Sequence, residues 1–342
     1  IEDLEELIMV EMNEISKDTQ KSMKTRIITG IIMALVGVPC VILGDWFYLI
    51  AIFLIVGVGL SEVIKTTGNK YPPLVVVLLY IFTYSFVFWI FFQKDIVNSE
   101  GEILMKSCAE YVNGHFVMTD IRISTMGVGF LIAMLFLSSI ISQRTDLRDV
   151  FYLFTMSLFI GFAGQTLLFL RFCPANLSTG FKYNNSFITC LLIVYVLAGA
   201  MLNDICAYFV GVLFGKHKMT PIISPKKTWE GFVGGIVLST VISSAFVFIC
   251  DACFKIPLLK GIIDLEHWYF VILLSLCLGL SSVLGDLMFS SIKRSYSIKD
   301  FGTVFPGHGG VLDRFDSVMM TAIIASIVIT FIYYNPVLGV IH

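Results

Sequence analysis

Nine apolar runs, each about as long as a helix that crosses a bilayer, dominate this sequence of 342 residues. A hydrocarbon core of about 30 Å needs roughly 20 residues of α-helix. Only 14% of the residues are charged, whereas soluble domains average about a quarter. The sequence therefore predicts an all-α, polytopic integral membrane protein with about nine transmembrane helices, and it excludes a soluble globular domain. The predicted spans are residues 27–44, 46–64, 73–92, 126–142, 150–170, 187–214, 232–250, 268–290 and 318–334.

The distribution of basic residues predicts which ends of the spans face the cytoplasm. If residues 1–25 are cytoplasmic, 16 of the 23 lysines and arginines fall on that side of the membrane. Because cytoplasmic loops of membrane proteins are enriched in lysine and arginine, this orientation is favoured over its inverse. The polar segment 290–317 is then expected on the cytoplasmic face.

The other polar segments carry weaker signals. Residues 1–25 place apolar side chains at helical spacing beside an acidic face, which predicts a cytoplasmic amphipathic extension that is solvated or self-associating rather than lipid-bound. The first 20 residues hold seven acidic groups and one lysine, so no cleavable signal peptide is expected. The eight cysteines are scattered without the paired spacing of a zinc site. Asn176 and Asn184 begin formal glycosylation sequons, which matter only in a secretory compartment.

Asp204 is the first of three charged features that interrupt the apolar pattern. An aspartate near the middle of a span costs about 2.5–3.5 kcal/mol on insertion, so such residues usually face a polar interior. Its helical face also carries Tyr208, Gly211 and Gly215, and the glycines permit close approach of another helix or a ligand. An interhelical hydrogen bond that only stabilises packing is the alternative, and these residues alone leave both open.

The second feature is a basic loop at residues 216–231. Pro225 fixes the backbone before Lys226 and Lys227. Hydroxyl groups of Ser224 and Thr228 flank the two lysines, and such donors suit phosphate oxygens. A basic loop beside a membrane also serves simply to set topology or to bind lipid headgroups, and composition alone favours that alternative.

The third feature begins at Asp286, at the cytoplasmic edge of a predicted span. If the helix continues, Asp286 shares a face with Ser290, Lys293 and Arg294, so a carboxylate is aligned with two cations.

The polar segment then continues beyond that helix. The run PGHGG cannot continue the helix, and its glycines let the backbone come near a ligand. Asp313 and Asp316, with Arg314 between them, share a face at the start of the last span. Acidic residues also favour a helix N-terminus, but that does not account for three carboxylates and four cations on one side of the membrane.

The chemistry of these groups points to phosphate transfer. Carboxylates without thiol or imidazole clusters suit a hard cation such as Mg²⁺, held partly by water and substrate phosphates. Nearby lysines and arginines would neutralise phosphate charge during displacement at phosphorus. The sequence therefore predicts phosphoryl or nucleotidyl transfer at the cytoplasmic surface, with a lipid as acceptor, since a water-soluble acceptor would not require nine spans.

The C-terminal half resembles one family closely. It is similar to the CDP-diacylglycerol synthases, also called phosphatidate cytidylyltransferases, in SPKKTWEG, in Gly285 and Asp286, and in the pattern that follows Asp204. The signature residues that match are Ser291, Lys293, Arg294, Lys299, Asp300, Pro306, Gly307, His308, Gly309, Gly310, Asp313, Arg314 and Asp316. The resemblance covers residues 186–342 as a catalytic region, with the signature at 291–316, whereas the transmembrane helices of 26–185 are similar only in being hydrophobic.

The resemblance implies Mg²⁺-dependent transfer of CMP from CTP to phosphatidate, giving CDP-diacylglycerol and pyrophosphate. It implies Asp286 and Asp313 as metal ligands, Asp316 as a further ligand, and a possible second cation. Lysines, arginines and hydroxyls of the loop and signature would contact phosphates: Ser224, Lys226, Lys227, Thr228, Lys293, Arg294, Lys299 and Arg314. His308 would bind phosphate, assist the leaving group, or form a structural hydrogen bond in the glycine turn, and Asp204 would face the substrates.

The family also implies a polar cavity open to the cytoplasm and the bilayer, a homodimer, and a bacterial-type plasma membrane or else an endoplasmic reticulum or organelle membrane. No nucleic acid is expected as a partner. Two other activities remain open from the residues: a CTP-dependent lipid kinase of the dolichol kinase type, and an ion-coupled transporter, although no repeated halves are visible.

Overall fold

The computed structural model describes residues 17–88, 91, 96–97, 103–105, 109–112, 115–118, 125–141, 146–173 and 186–334. Nine helices lie within these ranges: α1 (Lys17–Leu43), α2 (Asp45–Thr66), α3 (Pro73–Phe88), α4 (Thr125–Ile141), α5 (Leu147–Phe172), α6 (Ser186–Phe214), α7 (Trp229–Phe254), α8 (Trp268–Ser295) and α9 (Leu312–Tyr334). Three antiparallel hairpins complete the described structure: β1 (Ile96–Val97) with β2 (Ile103–Met105), β3 (Ala109–Val112) with β4 (His115–Met118), and β5 (Lys218–Thr220) with β6 (Ser224–Thr228).

Each predicted span coincides with one of these helices, which confirms the polytopic all-α prediction. Six helices are long and apolar enough to cross a membrane, namely α2 and α5 to α9. The apolar parts of α1, α3 and α4 are shorter, at 10–17 residues. Many apolar side chains on the outer surface are exposed, for example Leu35 at 69% and Leu213 at 71%. Such a surface suits hydrocarbon rather than water, and the protein is an integral membrane protein.

Local sequence explains where several helices begin and end. Gly44, with φ of 67°, separates α1 from α2 in a conformation that favours glycine. α3 begins at Pro73, whose missing N–H costs nothing in a first turn. The Thr228 hydroxyl accepts a hydrogen bond from the Gly231 N–H at 3.2 Å and caps α7. Of these three starts, the start of α7 has a side-chain cap, whereas the start of α2 has none.

Hydrogen bonds between distant segments define one polar end of the bundle, here called the signature end. Asn69 donates to the Asp149 carboxylate at 2.6 Å, and Arg148 donates to the Ser295 carbonyl at 2.6 Å. The Thr29 hydroxyl of α1 donates to the Pro306 carbonyl at 3.1 Å. This end therefore gathers α1, the loops after α2 and α8, and the start of α5.

Arg171 organises the opposite end. Its guanidinium donates to the Val41 carbonyl at the end of α1 and to the Thr189 hydroxyl of α6. Only 1% of this side chain is exposed. A cation beside the last carbonyls of a helix is electrostatically favourable there. The predicted span 150–170 stopped short of Arg171, which lies inside α5 rather than in the following loop.

Glycines allow the helices nearest the signature to pack closely. A Cβ on Gly235 of α7 would lie 2.7 Å from the Cβ of Ala207 in α6, and a Cβ on Gly285 of α8 would lie 2.7 Å from the Asp316 carbonyl in α9. The predicted close approach beside Asp204 is therefore observed, with α7 and Thr228 as the neighbours of Gly211.

Some predicted boundaries and segments differ from the structure. α7 begins at Trp229 instead of 232, and α9 at Leu312 instead of 318, because polar first turns precede the apolar runs. The loops predicted at 93–125 and 216–231 contain the three hairpins. Most of the predicted extension 1–25, and Asn176 and Asn184 of the sequons, lie outside the described residues.

Candidate active site

The site is assembled at the signature end from four parts of the chain. The C-terminal half of α8, the loop 296–311 and the start of α9 contribute the signature, and the β5–β6 hairpin contributes the lysine loop. Arg294 ties two of these parts together, because its Nε donates to the Ile223 carbonyl in the hairpin turn at 3.3 Å. The long-range contact follows from α8 continuing to Ser295, as the spacing of its polar residues predicts.

Lys227 and Asp286 form a more accessible pair than Lys293 and Asp313. The Lys227 Nζ lies 2.7 Å from Asp286 Oδ2, and their side chains are 24% and 30% exposed. The Ser290 hydroxyl donates to the other Asp286 oxygen at 3.3 Å. This contact joins the lysine loop to α8, although the two segments are 59 residues apart in the chain.

Asp313 is buried at the start of α9 and accepts three hydrogen bonds. Lys293 Nζ donates to Oδ1 at 2.8 Å, while the N–H groups of Phe301 and Gly310 donate to Oδ2 at 2.7 and 2.9 Å. Only 2% of the Asp313 side chain is exposed. A metal ion at Oδ1 would share that oxygen with the Lys293 ammonium, and the two positive charges would repel each other.

Asp204, Asp286 and Asp316 form a carboxylate cluster between α6, α8 and α9. Asp286 repels the charges of both Asp204 and Asp316, and Lys227 offsets part of the repulsion at Asp204. The Ser282 hydroxyl donates to Asp204 at 3.4 Å. One Asp316 oxygen accepts from the Ser317 N–H at 2.8 Å.

A hard cation such as Mg²⁺ would offset the repulsion between these carboxylates. Their oxygens do not form a closed ligand shell: among the described residues, the acidic and imidazole groups with ligand atoms all within 4.8 Å of one another are Asp264, Glu266 and His267. Asp286 and Asp313 each already accept a hydrogen bond from a lysine ammonium. The metal-ligand roles remain predictions.

The glycine turn of the signature is a compact loop that the helices hold in place. The Phe305 N–H donates to the Gly309 carbonyl across the turn at 2.9 Å. The His308 N–H donates to the Phe305 carbonyl, also at 2.9 Å. Gly307 and Gly309 have φ of 76° and 84°, where other residues are strained. The sequence predicted that this run interrupts the helix, and the structure shows the turn.

The remaining predicted cations and hydroxyls differ in how accessible they are. Lys226, Lys299 and Arg314 are exposed, so each is accessible to a soluble anion. Ser224 pairs with Thr220 across the hairpin, and Thr228 is buried as the α7 cap. The structure thus gives Thr228 a capping role, whereas the sequence selected it for phosphate contact.

Glu62 of α2 is a site residue that the sequence reasoning missed. Its Oε1 accepts from the Val311 N–H at 2.8 Å, and its Oε2 accepts from the Leu312 N–H at 2.9 Å. Only 2% of Glu62 is exposed. The signal was present, because Glu62 is an acidic residue inside the predicted span 46–64, like Asp204 and Asp286 in theirs.

A cavity of about 400 Å³ lies beside Glu62. Its volume falls within the usual range for small-molecule sites, about 300–1,000 Å³. The lining residues come from α2 and from the start of the signature loop: Ser61, Glu62, Lys65, Asp300, Phe301, Gly302, Thr303 and Val304. Lys65 adds a cation that the sequence reasoning did not select.

Comparison with known proteins assigns this arrangement to a family. A family model described as "Cytidylyltransferase family" matches residues 24–332, which is most of the chain and includes every site residue described above. The chain belongs to the cytidylyltransferase family. The resemblance to CDP-diacylglycerol synthases seen in the sequence is therefore confirmed.

Several members of the cytidylyltransferase family are similar in sequence. A protein of Bacillus subtilis strain 168, named phosphatidate cytidylyltransferase, is 30% identical over 304 residues, or 86% of this chain and 93% of its own. A protein of Staphylococcus haemolyticus with the same name is 41% identical over 127 residues, covering 37% of this chain and 44% of its own. A Mycobacterium bovis protein, also of that name, is 37% identical over 163 residues, covering 46% of each.

Proposed function

We propose that this protein transfers CMP from CTP to phosphatidate and releases pyrophosphate, with Mg²⁺ required. The observation that supports it best is the carboxylate cluster with Lys227 and Lys293 at one polar end of an otherwise apolar helical bundle. The names of the similar proteins favour the same reaction. A lipid substrate is consistent with a site built on membrane-spanning helices.

In the proposed reaction an oxygen of the phosphatidate phosphate attacks the α-phosphorus of CTP. A phosphorus–oxygen bond forms there, and the bond from the α-phosphorus to the bridging oxygen of pyrophosphate breaks. The attacking phosphate is already ionised at neutral pH, so the step needs no strong general base. The main obstacle is repulsion between two polyanions, and fixed positive charge reduces it.

The residues divide this task between them. Lys226, Lys227, Lys299, Arg294 and Arg314 would bind phosphate oxygens, because all lie at the signature end and none is fully buried. Magnesium, when bound, would supply further positive charge and orient phosphate oxygens.

The carboxylates and the glycine turn have separate tasks in this proposal. Asp286 and Asp316, with Asp204, would hold the metal, and Asp313 would join them once Lys293 turns to a phosphate. His308 would lie beside the phosphates in the glycine turn.

The proposal also concerns membrane placement and assembly. We place the signature end in the cytoplasm of a bacterial-type plasma membrane, on the positive-inside distribution of the basic residues. CTP reaches the site from that side, while phosphatidate reaches it from the bilayer. A homodimer follows from the family resemblance alone. Residues 186–342 would be the catalytic region, although Glu62 shows that α2 also contributes contacts.

Two labelled nucleotides test the reaction directly. Purified protein in phosphatidate-containing vesicles is incubated with Mg²⁺ and with CTP labelled at either the α- or the γ-phosphorus. We expect α-label in the lipid and γ-label in soluble pyrophosphate. Transfer of γ-label to lipid would replace the proposal with a lipid kinase, and absence of both labels from the lipid would reject both enzymes. Addition of EDTA should stop α-label transfer.

A further inference from the structure

Glu62 of α2, which is not part of the signature sequence, binds the end of the signature loop. The two oxygens of its carboxylate each accept one backbone N–H, from Val311 and Leu312, across about 250 residues of chain. These N–H groups lie at the N-terminus of α9, where the helix leaves its first donors unsatisfied. A carboxylate there gains both charge-assisted hydrogen bonds and a favourable interaction with the helix dipole.

Asp313 binds the same loop at two further backbone N–H groups. Its Oδ2 accepts from Phe301 at the start of the loop and from Gly310 near the end. The N–H groups of three consecutive residues, from Gly310 to Leu312, are therefore all bound by buried carboxylates. Removal of Glu62 frees two of them without changing any residue of the signature.

Glu62 occupies the space that a side chain would need at two glycines of the loop. A Cβ on Gly302 or on Gly310 would meet the Glu62 carboxylate before any other group, with its three nearest atoms all belonging to Glu62. Neither glycine has the positive φ that Gly307 and Gly309 have. Alanine at position 310 is thus excluded by the Glu62 side chain and not by the backbone.

We propose that Glu62 is a positioning residue for the signature: it fixes the start of α9 so that Asp313 meets Lys293 and Asp316 lies near Asp286. This inference rests on the proposed function for its kinetic consequence. Glu62 acts through backbone N–H groups, since both of its carboxylate oxygens bind them. Misplacement of reacting groups by about 1 Å can cost roughly 100-fold in rate, so a small shift of α9 is sufficient to impair the enzyme.

A double-mutant comparison tests the proposal. Glu62→Ala should lower kcat by about 100-fold with little change in KM for CTP, and Gly310→Ala should lower it similarly because the new methyl group displaces the carboxylate. In the double variant the Glu62 atoms that the new methyl group would meet are absent. The kcat of the double variant should therefore equal that of Glu62→Ala alone. If the loss of kcat in the double variant is instead the product of the two single losses, the two positions act independently and the proposal is overturned.

Gly309→Ala is the matched control for this comparison. Its Cβ would meet Asp313 instead of Glu62, and its φ is 84°. We expect Glu62→Ala to bring no relief to this variant. Relief of both glycine variants alike would indicate general loosening of the loop rather than a specific contact.

Amide hydrogen exchange supplies a readout that does not depend on activity. In Glu62→Ala the amides of Val311 and Leu312 should exchange faster, and Glu62→Gln, which keeps one acceptor oxygen, should be intermediate and serves if Glu62→Ala does not fold. Wild-type exchange rates in both variants, or a lower Tm with unchanged kcat, would overturn the positioning role. A wild-type protein that forms no labelled lipid would instead reject the proposed function and leave the exchange result standing.

Discussion

Replacement of Lys227 by alanine separates a structural salt bridge from a functional cation. The Lys227–Asp286 pair is 2.7 Å long, and its side chains are 24% and 30% exposed, so solvent screens the attraction. Pairs of this kind contribute about 0.2–1 kcal/mol to stability. For a protein above 250 residues this corresponds to a fall in Tm of at most about 4 °C.

The expected loss of activity is much larger than the loss of stability. Removing one donor that stabilises a developing oxyanion typically costs about 2.7–4 kcal/mol, or roughly 10²–10³ in rate. If Lys227 neutralises a phosphate in the transition state, Lys227→Ala should lower kcat/KM by about that factor. The arginine variant should recover part of the loss, since it restores the charge with a different geometry.

Two assays on the same sample decide between these roles. Transfer of α-label from CTP to lipid gives kcat/KM, and a thiol-reactive dye follows unfolding, because Cys173 and Cys190 are buried until the helices separate. Lys218→Ala is the matched control, since it removes an exposed lysine from the same hairpin. A kcat/KM for Lys227→Ala equal to that of the control would refute the phosphate-binding role. A large fall in Tm would show that the pair is structural.

Three further variants test other contacts. Asp313→Asn should abolish turnover and also destabilise the fold by about 3–5 kcal/mol, because it leaves the Lys293 ammonium, whose side chain is only 11% exposed, without its counter-charge; unfolding in detergent should show that adding Lys293→Met restores much of the stability but not the activity. Asp286→Asn should raise the Mg²⁺ concentration for half-maximal transfer, and an unchanged metal titration would remove it from the metal site. Thr228→Ala should lower the unfolding free energy by about 1 kcal/mol through loss of the α7 cap, with near-normal KM for CTP if capping is its whole role.

The sequence predicted the helices well because their cause is local. A run of apolar residues long enough to span the bilayer must satisfy its own backbone hydrogen bonds, and a helix does so without partners. The hairpin of the lysine loop was missed because Lys218 and Thr228 pair across a short turn without alternating apolar residues. The polar first turns of α7 and α9 were assigned to loops for a related reason, since hydropathy marks the apolar run and not the helix that extends beyond it.

The residue types of the site could also be found in the sequence, but their partners could not. Charged residues inside or beside spans are costly, so Asp204 and Asp286 were conspicuous, and the same rule applied to Glu62 would have selected it. Asp286 was expected to align with Lys293 and Arg294 on its own helix, yet its partner is Lys227 from the hairpin.

Hydropathy and a signature of fixed spacing are local properties, so they are sufficient to identify a membrane-embedded helical protein of the cytidylyltransferase type. The pairing of Lys293 with Asp313, of Lys227 with Asp286, and of Glu62 with the start of α9 becomes visible in the folded chain alone. Those pairings depend on how closely the helices pack, at Gly285 and Gly310 above all, and packing distances between segments far apart in the chain cannot be read from spacing within one segment.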